Sequence, residues 1–200
     1  MNTFKKGLLA GAAALALSMS AQASEINVGG VVWDPDEPYA YPNENDFNAH
    51  GSITETGAVN PTDIVTGFGL FSRLNSLLGS NIAEFCPSCE LTFTFSMELV
   101  GFTPSGVQPG PGVNGDFEFT DLEINIFVDD NPNFADTEAS SGDGVLWLQL
   151  TSDLLSGSGD FLGSGSDAGS GSSLLDVTEN LGLAWSNFNT NSMAGGADLL

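Results

Sequence analysis

The sequence predicts an all-β protein, a two-sheet antiparallel β-sandwich of the jelly-roll-like kind. Apolar and polar side chains alternate in several short runs, and clusters of Gly, Pro, Asn, Asp and Ser separate these runs. The chain is 41% hydrophobic, contains 14 Phe and is only 14% charged. Because disordered chains lack such hydrophobicity, we expect residues 24–200 to fold as one domain with a core of its own.

The first 23 residues have the three parts of an export signal. Lys5 and Lys6 make the start basic, residues 7–20 are apolar, and a small-x-small pattern predicts cleavage between Ala23 and Ser24. The apolar stretch is shorter than the roughly 20 residues that a bilayer span needs. We therefore expect a secreted protein whose mature chain has no membrane span.

The strand predictions follow the chain in order. The first strand covers residues 26–33, because prolines at 35 and 38 cannot donate to a ladder. The clearest strand is residues 91–97, with Leu, Phe, Phe and Met on one face and Thr, Thr and Ser on the other. Residues 64–74 also fit helical spacing at their end, but we favour a strand there. The other predicted elements are strands at 117–127 and 145–150 and short closing elements at 174–177, 181–185 and 197–200.

Two segments are predicted to be long loops. Residues 104–115 are rich in Pro and Gly and are predicted to form a turn or an exposed loop. Residues 156–173 form a Gly/Ser tract in which Phe161 and Leu162 could pair briefly as a strand. Such a tract loses too much backbone entropy to stay ordered unless something holds it in place. The chain stops in an apolar run at Leu200, whereas natural ends are usually solvated, so we expect these residues to be the front part of a longer gene product.

The charge balance excludes several classes of partner. Once the signal is removed, Arg73 alone stands against 26 acidic residues, a formal net charge of −25. Such a surface repels nucleic acid and anionic lipid, because binding there needs clustered cations. Divalent cations, neutral glycans, or a neutral or basic protein surface remain as partners. The acids are mostly spread singly through turns and strand ends, which favours a solvated acidic surface.

Cys86 and Cys89 are the only cysteines, and two residues lie between them in the sequence. Export places them in an oxidising compartment, so we predict a disulfide that contributes roughly 2 kcal/mol. A dithiol redox centre is the alternative, but that motif belongs at the start of a helix and here a strand follows. Zinc would have only His50 as a further soft ligand.

Asp129, Asn131 and Asn133 match the first three ligand positions of a calcium loop of the EF-hand kind, and Asp136 adds another oxygen donor. Phe134 stands where such a loop needs glycine. Two interpretations stay open, an irregular calcium site and an acidic turn whose Asx side chains bond their own backbone. Calcium is the one cofactor that the sequence suggests.

The sequence contains no recognisable catalytic constellation. His50 is the only histidine, and the chain has no G-x-S-x-G motif, so a Ser/His/Asp arrangement is disfavoured. We place His50 in a loop. The many acids offer pairs for glycoside hydrolysis, but sequence does not give their separation. Trp33, Trp147 and Trp185 have the chemistry to stack on sugars, although tryptophans at strand positions usually belong to the core.

Four segments, residues 27–36, 85–95, 143–148 and 174–178, resemble one group of exported bacterial proteins of the PEP-CTERM type. Members of that class share a C-terminal sorting signal, Pro-Glu-Pro followed by an apolar helix and a basic end, which an exosortase processes. Such a tail is not found within these 200 residues. The resemblance implies a Gram-negative cell-surface or extracellular-matrix protein associated with exopolysaccharide, and it carries over no catalytic residues.

The sequence thus predicts an exported, acidic, non-enzymatic surface or matrix protein with exopolysaccharide or other matrix components as partners. One alternative is a calcium-assisted carbohydrate-binding module that uses residues 129–136 and an exposed Trp. The other is a glycoside hydrolase with a carboxylate pair in a cleft.

Overall fold

The computed structural model describes residues 26–33, 49–57, 60–74, 85–104, 113–161 and 169–188. Within these ranges the chain forms strands and two four-residue helices, so the all-β prediction is confirmed. The strands are β1 (Ile26–Val28), β2 (Val31–Trp33), β3 (Ala49–Glu55), β4 (Ile64–Leu74), β5 (Glu90–Pro104), β6 (Val113–Asp129), β7 (Val145–Ser152), β8 (Leu155–Phe161), β9 (Gly169–Ser173) and β10 (Asp176–Val177). The helices are α1 (Glu138–Ser141) and α2 (Trp185–Phe188).

One antiparallel sheet of eight strands is built around the long strand β6. Its main path has the order β10-β7-β6-β5-β4-β3. β7 pairs with the second half of β6, whereas β8 pairs with the first half and β9 continues from β8. β1 and β2 form a separate two-stranded sheet. The two sheets are therefore unequal in size, and the jelly-roll-like layering stays a prediction.

Each of the two longest strands contains an extra residue that keeps its apolar side chains on one face. In β5 the extra residue is Val100, and in β6 it is Asp121, whose φ is 52°. As a result Phe119 and Leu122, three positions apart, are both buried. A strand with a strict period of two would have turned one of them to the opposite face.

Phenylalanine rings lie over glycines of the adjacent strand on the apolar face of the sheet. The Cζ atom of Phe93 is 2.6 Å from the position that a β-carbon on Gly69 would occupy, and Phe117 stands in the same relation to Gly157, also at 2.6 Å. Glycine alone leaves room for a ring laid against the neighbouring backbone. The further pairs are Phe95 with Gly67 and Phe102 with Gly115.

The β1–β2 hairpin closes the larger core cluster. Its turn is the pair Gly29 and Gly30, with φ of 64° and 91°, as a two-residue type I′ turn requires. Trp33 stacks on Phe188 of α2 with ring centroids 5.2 Å apart, and it meets Trp147 of β7 edge-on at 5.5 Å. All three rings are buried, so the first and last described segments complete the same core.

Two local predictions were wrong. Residues 26–33 form a hairpin instead of one strand, because the two glycines turn the chain back on itself. His50, placed in a loop from its Asn-Ala-His-Gly context, lies on β3, where the ladder pairs it with Arg73 of β4.

The Gly/Ser tract, residues 156–173, was also predicted wrongly, since much of it belongs to β8 and β9. β8 pairs with β6 from Val113 to Phe119, and β9 pairs with β8. The two ladders give the tract its backbone hydrogen bonds. The Phe117 ring over Gly157 gives it an apolar contact, which its own Gly and Ser residues do not provide. Together they offset the backbone entropy that the tract loses on ordering.

Candidate functional site

Residues 130–144, here named the crossing loop, lead from β6 to β7 and contact β4 and β5 through α1. Two buried polar side chains of β5 hold this loop. The carboxylate of Glu90, only 4% exposed, accepts hydrogen bonds from the backbone N–H groups of Asn133 and Phe134, both at 3.1 Å. The hydroxyl of Thr92 donates to the carbonyl of Ser141 at 2.7 Å. The polar side chains of β5 therefore fix the conformation of a loop that carries the predicted calcium ligands.

Three of the four predicted ligands, Asp129, Asn131 and Asn133, lie together where β6 leads into the crossing loop. Asp129 Oδ1 accepts from the backbone N–H of Asn131 at 2.9 Å. The side-chain amide of Asn133 donates to Asp143 Oδ2 at 3.2 Å and to Asp129 Oδ2 at 3.5 Å. The bond from Asn131 is that of an Asx turn, which agrees with the second of the two interpretations.

The fourth predicted ligand, Asp136, bonds to a different element. Its Oδ1 accepts from the hydroxyl of Thr54 on β3 at 3.3 Å, and its own φ is 54°. Within the described ranges, no group of three or more His, Cys, Asp or Glu side chains is arranged to hold a metal ion. A calcium site at Asp129, Asn131, Asn133 and Asp136 stays a prediction.

Cys86 and Cys89 are joined by a disulfide whose Cα atoms are 5.0 Å apart, within the usual range for such bonds. Both residues are buried, and strand β5 follows directly at Glu90. The sulfur of Cys89 lies 3.5 Å from the position of a β-carbon on Gly30, so the bond lies beneath the β1–β2 turn. This burial fits a structural bond better than an exchanging dithiol.

Trp33 and Trp147 belong to the core, as their strand positions predicted, whereas Trp185, also expected at a strand position, lies in helix α2. Trp33 and Trp147 are 5% and 0% exposed, and Trp185 is half-buried against the same cluster. The indole N–H of Trp147 donates to the carbonyl of Val28 at 2.9 Å, which satisfies its polar group. The exposed tryptophan that a calcium-assisted carbohydrate module would use is therefore not supplied by Trp33 or Trp147.

A groove of about 510 Å³ that the sequence analysis missed lies on β6, β8 and β9. Two rows of side chains border it, and each row contains one carboxylate and two hydroxyls, one residue from each strand. The first row is Asp116, Ser158 and Ser170, and the second is Glu118, Ser156 and Ser172.

The groove follows from the register of the three strands. Side chains two positions apart on a strand are about 6.8 Å apart on the same face, and directly paired residues on neighbouring strands are separated by about 4.8 Å. All six side chains are exposed, and none of them hydrogen-bonds to another group in the part of the chain that the structure describes. The available sequence signal was the Ser-Gly alternation at residues 156–159 and 169–172, together with Asp-Phe-Glu-Phe at residues 116–119 of β6.

Other residues singled out from the sequence lie outside the described ranges, namely the cleavage site Ala23 and Ser24 and the predicted closing element at 197–200. No helix within the described ranges combines the length and the apolar character needed to cross a lipid bilayer. No family model, curated protein or solved structure matches this chain.

Proposed function

We propose that this protein is an exported, acidic, non-enzymatic component of the cell surface or extracellular matrix of a Gram-negative bacterium. The signal-like first 23 residues and the resemblance of four segments to PEP-CTERM proteins support this role. Its partners are exopolysaccharide or other neutral matrix components, because the mature chain has almost no basic residues with which to bind anionic ones.

The distribution of acids over the fold carries the proposal. Among the described residues most carboxylates are exposed and lie singly on strands and turns, as at Glu55, Glu123 and Asp176. Among the carboxylates whose exposure the structure describes, Glu90 alone is buried, and its side chain holds the crossing loop. A dispersed acidic surface on a β scaffold suits a hydrated matrix component that must not adhere to anionic polymers or membranes.

Fractionation of the source bacterium tests this role. Cytoplasm, periplasm, outer surface and culture medium are probed with an antiserum, and the mature N-terminus is read by mass spectrometry. We expect the protein in the surface or medium fraction, beginning at Ser24. An uncleaved chain retained in the cytoplasm would refute the proposal.

A glycoside hydrolase is the second candidate, since Asp116 and Glu118 border one groove. Glycosidases place their two carboxylates in unlike surroundings, so that one stays protonated while the other is ionised. Asp116 and Glu118 are both exposed, two positions apart on one strand, which favours binding over hydrolysis. Incubation with neutral polysaccharides should release no reducing ends. Release that Glu118→Gln abolishes would make the protein an enzyme.

A further inference from the structure

We infer that the groove on β6, β8 and β9 is a binding site for a neutral glycan chain that lies across the three strands, between the two rows of side chains. This inference rests on the proposed non-enzymatic surface role and extends it by assigning a site and a ligand class. The occupied length is about 10 Å, because neighbouring strands are about 4.8 Å apart. The groove thus contacts a short stretch of a longer polymer.

The chemistry of the two rows suits the hydroxyl groups of sugars. Each sugar hydroxyl both donates and accepts, so its site must offer acceptors and groups that do either. Asp116 and Glu118 provide ionised acceptors, and the four serines donate or accept. Hydrogen bonds to ionised acceptors are the stronger kind. All six side chains are exposed, so a ligand can reach them.

Charge decides between neutral and anionic glycans. One carboxylate lies in each row, at the β6 end of the groove. Arg73, the one cation of the mature chain, lies on β4, which β5 separates from β6. Uronic acids, sulfates and phosphates would enter a negative field with no cation beside them. The groove therefore selects uncharged sugars.

The backbone holds the two rows in place before any ligand arrives. Between the rows run Phe117, Gly157 and Gly171, one paired position on each strand, and their backbone atoms form the floor. On the opposite face the Phe117 ring covers Gly157, with its Cζ 2.6 Å from the position of an added β-carbon. This contact fixes β8 on β6. A groove carried on paired strands loses little backbone entropy on binding.

Native affinity electrophoresis tests the inference with the mature chain. Gels contain dextran, hydroxyethyl cellulose or guar galactomannan as neutral probes, or alginate as an anionic one, and mobility is expressed relative to a gel without polysaccharide. We expect at least one neutral polymer, but not alginate, to retard the protein. Asp116→Asn with Glu118→Gln should lower the affinity for the polymer, determined from the retardation, by roughly tenfold, because hydrogen bonds to charged acceptors are lost. Ser156→Ala with Ser158→Ala should weaken it as well.

The matched control is Glu55→Gln with Asp176→Asn, which removes the same charge from exposed positions outside the groove. It should bind as the unaltered protein does. Circular dichroism and thermal unfolding establish that each variant is folded. The inference fails if no neutral polymer retards the protein, if alginate retards it equally, or if the groove variants and the control lose binding alike.

These outcomes are separate from those of cell fractionation. If the protein lies on the cell surface but binds none of the neutral polymers, the groove assignment is wrong and the surface role stands. If the protein binds a neutral glycan but is retained in the cytoplasm, the groove assignment stands and the surface role is wrong.

Discussion

The ring of Phe93 lies across Gly69 of the neighbouring strand, with its Cζ 2.6 Å from where a β-carbon would stand. The bare backbone of β4 at Gly69 and the aromatic side chain of β5 at Phe93 therefore fit together. The same arrangement recurs between Phe117 and Gly157 on β6 and β8. In both places the glycine, which has no side chain, leaves the space above the neighbouring strand that a buried aromatic ring occupies.

Gly69→Ala should destabilise the fold by about 1–3 kcal/mol, because the new methyl group would overlap the Phe93 ring and the carbonyl of Ser52. Urea unfolding measures the change. Gly57→Ala is the matched control, since nothing lies within 4 Å of its added β-carbon. Equal losses from the two substitutions would contradict the packing argument.

Glu90→Gln should cost about 1–3 kcal/mol, because an amide places a donor where one of two backbone N–H groups now finds an acceptor. Hydrogen exchange should quicken most at the amides of Asn133 and Phe134. Glu55→Gln, at an exposed site, should change stability by less than about 0.5 kcal/mol. Unchanged exchange in the crossing loop would rule out this role of Glu90.

Replacing both Cys86 and Cys89 by alanine should lower the free energy of unfolding by roughly 2 kcal/mol, the chain-entropy value for so small a loop. In the intact protein, reduction should be slow until urea unfolds it, because both residues are buried. Thiol titration with and without urea measures this. Rapid reduction of the native protein would instead indicate an accessible, exchanging pair.

An increase in NaCl from about 0.05 M to about 0.5 M should raise the melting temperature, because screening reduces repulsion among the exposed carboxylates. A variant with Glu55, Asp153, Asp176 and Glu179 changed to their amides carries less negative charge and should respond less. Calorimetric melts at several salt concentrations give the two slopes. Equal slopes would show that carboxylate repulsion is not the cause.

Calcium and magnesium at equal ionic strength should raise the melting temperature equally. Both carboxylate oxygens of Asp129 already accept hydrogen bonds, from Asn131 and Asn133, and Asp136 bonds to Thr54. Melts in CaCl2, MgCl2 and chelator measure the difference. A further rise specific to calcium, abolished by Asp129→Asn, would establish the calcium site by mass action.

Strands whose own residues alternate between apolar and polar could be predicted from the sequence. Alternation identified β5 around residues 91–97 and β6 around residues 117–127, and the single acids indicated the solvated acidic surface. The core tryptophans Trp33 and Trp147 followed from their strand positions.

What could not be predicted depends on pairing between distant segments. The Gly/Ser tract has no apolar pattern of its own, and it becomes strand because β6 supplies a ladder and the Phe117 ring. The groove exists only in the register that places Asp116 beside Ser158. The burial of Glu90 likewise depends on where the crossing loop returns over β5.

The stacking of Trp33 on Phe188 joins residues 155 positions apart. A ribosome makes the hairpin well before it makes the aromatic ring that covers it, because synthesis adds only several residues per second. During that interval the indole of Trp33 has no native partner in α2, and any chaperone that shields nascent chains has a defined apolar segment to bind. The part of the core around Trp33 can therefore not close until residue 188 has been made, however early the hairpin forms.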